Sequence, residues 1–234
     1  MREGDLLHEE TSWLNYTGQQ LSLHNLTHVF KIDVNAWYNI LSPNFRVSQA
    51  EQQKADRFVQ PAGKRCSLVS KHFLRSLISS ILKIPAGEIQ YGFNPYGKPL
   101  LDPVSFNLSH SGNLVVIALS EYPVGVDVEE IKSDFSYLEI ISTYFSTAEQ
   151  HFILEGQHPL LEFYILWTRK EAYLKGVGTG LTNDLHLVPS LQEFVPEAAP
   201  GFRLHSQKIG SEYVLSLASD PQTASGICYW EIRP

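Results

Sequence analysis

Apolar positions recur along this chain in two periods, and the switches between them mark out its elements. Residues 28–34 (HVFKIDV) are β-branched and partly alternating, which predicts a strand. Ser48 and Glu51 make an S-x-x-E capping box, which predicts a helix to about Val59, broken by Pro61 and Gly63. Beyond Arg65, Val69, Phe73 and Leu77 fall at i, i+4 and i+8, with Leu74, Ile78 and Leu82 alongside. That spacing predicts a long helix to about Lys83, ended by Pro85. Short strands are expected at residues 89–93 and 104–107. Residues 114–119 read as a buried strand, and residues 124–129 as a strand pairing with it across a turn.

The second half repeats the theme loosely. A helix is predicted over residues 136–144, and Ser146 with Glu149 makes a second capping box that opens a short helix. A long helix follows over residues 160–175, closed by Gly176 at a C′ position. Strands are expected near residues 202–209, 212–218 and 226–232. Residues 1–26 are weakly patterned and read as an irregular arm. Helices and strands in blocks, without strict βαβ alternation, predict an α+β fold. Each half sets a long helix among about three strands, although no identity between the halves is evident. The expected lobes are residues 1–120 and 121–234.

With 43% hydrophobic and 18% charged residues in 234, the chain has enough apolar material to fold. The longest apolar run, residues 114–119, is too short to cross a bilayer, so no membrane association is expected. The first ten residues are acidic and lack an apolar segment, so no signal peptide is expected. Only Cys66 and Cys228 occur, with no CxxC, which excludes a zinc ribbon or disulfide scaffold and suits the cytoplasm. A net charge of −7 argues against nucleic-acid binding. The charge is unevenly placed. Residues 1–120 hold 11 basic and 9 acidic side chains, whereas residues 121–234 hold 7 and 16. A basic lobe before an acidic one suits a phosphorylated ligand held against a metal-binding carboxylate cluster, but scattered solvated surface gives the same counts.

Four segments carry candidate chemistry. In VGVDVEE (residues 124–130), strand alternation puts Val126 and Val128 on one face and Asp127 and Glu129 on the other. Carboxylates at i, i+2 stand about 7 Å apart and can share one hard divalent cation such as Mg²⁺. An ordinary half-exposed strand has the same pattern. In WTRKEAYLK (residues 167–175), Trp167, Glu171 and Lys175 share a helix face. Glu171 suits a metal ligand or a general base, and Lys175 a phosphate contact. A Glu–Lys surface pair beside a core tryptophan fits equally. FNLSHSG (residues 106–112) reads as a polar turn between strands, in which His110 can donate to phosphate oxygens or simply furnish a loop. No G-x-S-x-G elbow surrounds its serines, which removes a serine-hydrolase reading. YGKP (residues 96–99) is a turn that places Lys98.

In this order and spacing the four segments closely resemble the Sfp-type 4′-phosphopantetheinyl transferases, over residues 48–180. The resemblance implies two similar α+β lobes related by a pseudo-twofold axis, each a small antiparallel sheet with a long helix, and an active site between them. It implies transfer of the 4′-phosphopantetheine arm of coenzyme A to a serine of an acyl or peptidyl carrier protein, with Mg²⁺ present and 3′,5′-ADP released. On the family's pattern Asp127, Glu129 and Glu171 surround the metal. Lys175 and His110 contact the phosphates, and Gly97, Lys98, Pro99 and Ser109 line the nucleotide side. Lys54 and Arg65 match basic positions near the 3′-phosphate, where a further basic position of relatives is Glu51 here. Glu149 matches an acidic position near the site. Asp127, Glu171 and Lys175 are thus the expected catalytic set, with Glu171 as the base and Trp167 packing the helix that holds it. The family type is expected to be a monomer. Two alternatives keep the same carboxylates: a catalytically silent coenzyme A- or carrier-binding protein, and an Mg²⁺-dependent hydrolase of nucleotide pyrophosphates.

Overall fold

The computed structural model describes residues 6–9, 11–180, 184–195, 201–223 and 226–234. In chain order the elements are β1 (Leu14–Asn15), β2 (Thr27–Asp33), α1 (Val34–Leu41), α2 (Gln49–Asp56), α3 (Pro61–Leu82), β3 (Gly92–Phe93), β4 (Pro99–Leu100), β5 (Ser105–Ser111), β6 (Leu114–Ser120) and β7 (Val124–Glu130). There follow α4 (Leu138–Tyr144), α5 (Thr147–Leu154), α6 (Pro159–Val177), β8 (Phe194–Val195), β9 (Phe202–Ile209), β10 (Tyr213–Ser219) and β11 (Ile227–Ile232). Mixed helices and sheets in blocks make the fold α+β.

Alternation along the strands builds four layers. One sheet has the order β1-β11-β2-β6-β5, another β7-β10-β9-β8. On the first sheet Phe30, Ile32, Val115, Ile117 and Leu119 pack against Val69, Phe73, Leu74 and Leu77 of α3. The alternate residues Val29, Val116 and Ala118 face the other way, onto Val124, Val126 and Val128 of β7 and Leu215 and Leu217 of β10. The far face of the second sheet carries Val214, Ala218, Phe202 and Leu204, and α6 lies on it with Ala172 packed among these side chains and Thr168 and Arg169 bonded to Ser216 and Ser206. The order is therefore α3, sheet, sheet, α6; the first two junctions are apolar, whereas the α6 junction also buries a hydrogen-bonded set of Thr168, Arg169, Ser206 and Ser216.

Both capping boxes close as the sequence predicts, at Ser48–Glu51 and Ser146–Glu149. Several expectations are corrected. Pro61 opens α3 at its first turn, where its missing N–H costs nothing, so the helix begins ahead of Arg65. α2 ends at Asp56, before Val59, and α4 begins at Leu138. The α6 helix runs past Gly176, which stays helical, and its cap is Gly178 at φ +83°. Of residues 89–93 only Gly92–Phe93 pairs as a strand. The FNLSHS segment is strand β5 and not a turn: Phe106 and Leu108 face the α3 core, while Asn107, Ser109 and Ser111 alternate onto the opposite side. β7 does not pair with β6. It pairs antiparallel with β10, and its valines meet β6 face to face in the apolar layer between the sheets. Finally, β11 returns to the first sheet, parallel to β2, so sheet membership crosses the 120/121 boundary and that sheet is mixed.

Candidate active site

β5 is the last strand of one sheet and β7 the first of the other, and side chains join these two edges. The Val126 N–H donates to Asn107 Oδ1 (2.9 Å), Ser109 Oγ donates to Asp127 Oδ1 (2.7 Å), and Ser111 Oγ donates to Glu129 Oε2 (2.8 Å). Ser111 Oγ also accepts the Glu130 N–H (3.0 Å). Polar residues at every second position of β5 thus satisfy an edge that would otherwise need a strand partner.

The α6 helix supplies the rest. A Cβ built on Gly125 would stand 2.0 Å from the Ala172 carbonyl oxygen and 2.3 Å from the Gly176 nitrogen. Only glycine allows that approach, and it brings Glu171 and Lys175 down beside Asp127. Lys175 Nζ donates to Asp127 Oδ1 at 2.6 Å and to Ser109 Oγ at 2.9 Å. Asp127 is 3% exposed, so it is a covered carboxylate and not the outward-facing one the strand pattern suggests. Its Oδ2 is buried without a hydrogen-bond partner.

The electrostatics follow from this crowding. Burial, then the Asp127 and Glu129 charges, push Glu171 up to about 7, against the opposing pull of Lys175. Burial and Asp127 also raise Glu129, and its bond from Ser111 opposes them. His110 is on the other face of β5, lowered by partial desolvation and by Lys175, with Lys71 adding to this and Asp127 opposing. Lys71 was not singled out from the sequence. It stands on α3 and is lowered by burial, with Glu51 opposing and Lys54 and Arg75 near. Lys175 and Lys71 thus both act on His110, and Lys54 on Lys71, which makes this a region of mutually repelling basic groups. Arg65, at the start of α3, has a buried Nε with no partner.

The other residues singled out from the sequence are placed as follows. Glu51 Oε2 accepts from Ser48 N (2.7 Å) and Arg75 Nε (2.6 Å), so it holds α2 onto α3. Glu149 closes its capping box with Oε2, while its Oε1 meets Lys170 Nζ at 2.8 Å and accepts from Ser190. Trp167 lies in an aromatic group with Phe163, Phe145 and Tyr144. Gly97 has φ +82°, which the 94–98 turn requires, and Pro99 begins β4. Lys98 Nζ is turned inward onto backbone carbonyls. Among the described residues, no group of three or more His, Cys, Asp or Glu is gathered tightly enough to hold a metal ion. The orphaned Asp127 Oδ2, with two further carboxylates in electrostatic reach, is nonetheless a hard-oxygen donor set that suits a divalent cation.

These features define an α+β protein with a charged site at the seam where the edges of its two larger sheets meet. Residues 36–122 match the 4′-phosphopantetheinyl transferase N-terminal family, and residues 123–223 match the 4′-phosphopantetheinyl transferase superfamily. The chain belongs to the 4′-phosphopantetheinyl transferase superfamily. Its relatives include the 4′-phosphopantetheinyl transferase gsp of Aneurinibacillus migulanus, 36% identical over 149 residues, which is 62% of this chain and 60% of that protein. The 4′-phosphopantetheinyl transferase Sfp of Bacillus subtilis strain 168 is 32% identical over 144 residues, 59% of this chain and 63% of that one. The L-aminoadipate-semialdehyde dehydrogenase-phosphopantetheinyl transferase of Schizosaccharomyces pombe is 29% identical over 168 residues, 62% of this chain and 65% of that one. The chain thus spans about three fifths of the length of the relatives it matches. Among the described residues no helix is long and apolar enough to cross a membrane.

Proposed function

We propose that this chain transfers the 4′-phosphopantetheine arm of coenzyme A to a serine of an acyl or peptidyl carrier protein and releases 3′,5′-ADP. The carrying observation is the Lys175–Asp127–Ser109 constellation at the seam, with a buried carboxylate oxygen left unpartnered. Membership of the superfamily supports the same reading. In this reading the two lobes change over near residue 120, close to where the two family matches meet, with β11 returning to the first lobe, and they face each other as a pseudo-twofold pair within a monomer.

The carrier serine oxygen attacks the β-phosphorus of coenzyme A. A new P–O bond forms there, the bridging P–O bond breaks, and its electrons leave with 3′,5′-ADP. Glu171, in electrostatic reach of Asp127 and Lys175, takes the serine proton. Lys175 and His110 stabilise charge on the phosphate oxygens, and Lys54, Lys71 and Arg65 receive the 3′-phosphate. Gly97 and Pro99 line the nucleotide side, and Ser109 orients Asp127 and Lys175. Asp127, Glu129 and Glu171 would hold Mg²⁺, which when bound neutralises charge developing on the pyrophosphate. The two free cysteines suit a cytoplasmic setting.

Incubation with coenzyme A, Mg²⁺ and an apo carrier protein, read by intact mass, tests the proposal. Gain of one phosphopantetheine unit on the carrier serine is expected. Loss of coenzyme A without a carrier would instead indicate a pyrophosphate hydrolase, and no turnover of either would indicate a binding protein.

A further inference from the structure

The 94–98 turn grips the end of the helix that carries Glu171 and Lys175. An α-helix leaves its last four carbonyls without internal donors. At the end of α6, Lys98 Nζ donates to the carbonyls of Lys175 (2.6 Å) and Gly176 (2.9 Å), and more weakly to Val124 on β7 (3.5 Å). Asn94 Nδ2 donates to the Gly178 carbonyl at 2.8 Å. The turn is built for this task. Asn94 Oδ1 accepts the Tyr96 and Lys98 N–H groups, and the Asn94 N–H donates to the Lys98 carbonyl. A Cβ on Gly178 would lie 2.8 Å from Lys98 Cδ and 3.0 Å from Asn94 Nδ2, so the two segments are in full contact.

We propose that Lys98 and Asn94 are positioning residues, a clasp that caps α6 from a segment about 80 residues away and thereby sets Lys175 against Asp127. An ammonium has three protons, and three carbonyls lie within reach of Lys98, so none is left for a phosphate. A cation at a helix C-terminus also complements the helix dipole. Burial lowers Lys98 to about 8, as fits a group enclosed by protein and not extended into solvent. The effect on turnover rests on the transferase reading given above, whereas the clasp itself does not.

The test uses the full chain with Lys98→Met, Lys98→Arg and Asn94→Ala, in two measurements. Hydrogen exchange without coenzyme A reads the clasp: amides near the end of α6 should exchange about tenfold faster in Lys98→Met, as loss of one charge-assisted bond implies. Lys98→Arg should restore much of that protection, and Asn94→Ala should show the same change more weakly. Carrier loading reads the consequence: kcat should fall at least tenfold in Lys98→Met, with KM for coenzyme A nearly unchanged. Unaltered α6 exchange with a raised KM would overturn the proposal and make Lys98 a ligand contact. Should Lys98→Met not fold, Asn94→Ala decides by the same two readouts. Should the parent protein load no carrier, the transferase reading fails while the exchange data still judge the clasp.

Discussion

Lys175 and Asp127 meet at 2.6 Å across the α6–β7 contact, and the pair is lopsided: the lysine side chain is 30% exposed, the aspartate 4%. Neighbouring Lys170 makes a 2.8 Å pair with Glu149 in which both partners are almost wholly enclosed, at 0% and 3%. One helix thus presents two lysine–carboxylate pairs with opposite relations to solvent. The open pair can exchange a partner for a ligand, and the closed pair cannot.

Replacing Asp127 by asparagine should separate chemistry from stability. The amide keeps the volume, which matters because alanine would open a cavity at this covered position. Lys175 can turn to water once its partner loses charge, so unfolding free energy should fall by only about 1 kcal/mol. Carrier loading should drop by about 100-fold or more, since the charged ligand oxygens act most strongly in the transition state. Loading across a Mg²⁺ titration and denaturant unfolding of the same sample provide the check. Near-normal loading would remove Asp127 from the mechanism.

Replacing Glu149 by glutamine should do the reverse. Lys170 has no route to water, and its buried ammonium would be left with uncharged partners: the Leu185 and Val188 carbonyls, the new amide oxygen and the Phe145 ring. Stranding a buried charge costs roughly 3–5 kcal/mol. Activity per folded molecule should change little. A stability loss below about 1 kcal/mol in urea unfolding would contradict the closed-pair description.

The Gly125 contact is a backbone matter. An added methyl would overlap the Ala172 carbonyl, which has no side-chain freedom with which to move away. Gly125→Ala should therefore push α6 off β7, cost roughly 1–3 kcal/mol as overpacking does, and reduce loading at least tenfold by parting Lys175 from Asp127. Full activity in this variant would show that the helix approach does not set the site.

The helices and most strands were legible because their cues are local: two capping boxes, and the i, i+4 run of Val69, Phe73 and Leu77. What lay beyond the sequence was partnership between distant segments. Alternation in FNLSHS was visible, but its polar residues suggested a turn because their partner, the β7 edge, is far along the chain. Asp127 and Glu129 share a face as the pleat requires, yet the α6 cover over that face is set by Gly125 meeting Gly176. Arg169 and Lys170 sit among candidate catalytic residues in WTRKEAYLK, and only burial shows them to be structural. Arg169 is 1% exposed and donates to the carbonyls of Ser190 and Gln192.

His72 should make stability fall in acid. It is 8% exposed on α3, and its Nδ1 accepts the Arg46 N–H at 3.0 Å, so the neutral ring is the bonded form. Burial, with the Arg46 charge adding to it, lowers the group from 6.5 to about 4. The folded state therefore resists a proton that the unfolded chain accepts. Stability from this residue is complete above pH 6.5 and is lost as pH falls through the window from 6.5 to about 4. Between pH 7 and 4.5 the loss should be roughly 2 kcal/mol, at about 1.4 kcal/mol for each pH unit inside the window. His72→Asn retains an acceptor for the Arg46 N–H and removes the titration. Urea unfolding at the two pH values should show the variant losing roughly 2 kcal/mol less than the parent on acidification. Equal losses would mean that the acid sensitivity of this fold resides elsewhere, with His205 next in line. Burial, then His8 and Arg169, lower His205 to about 4 as well.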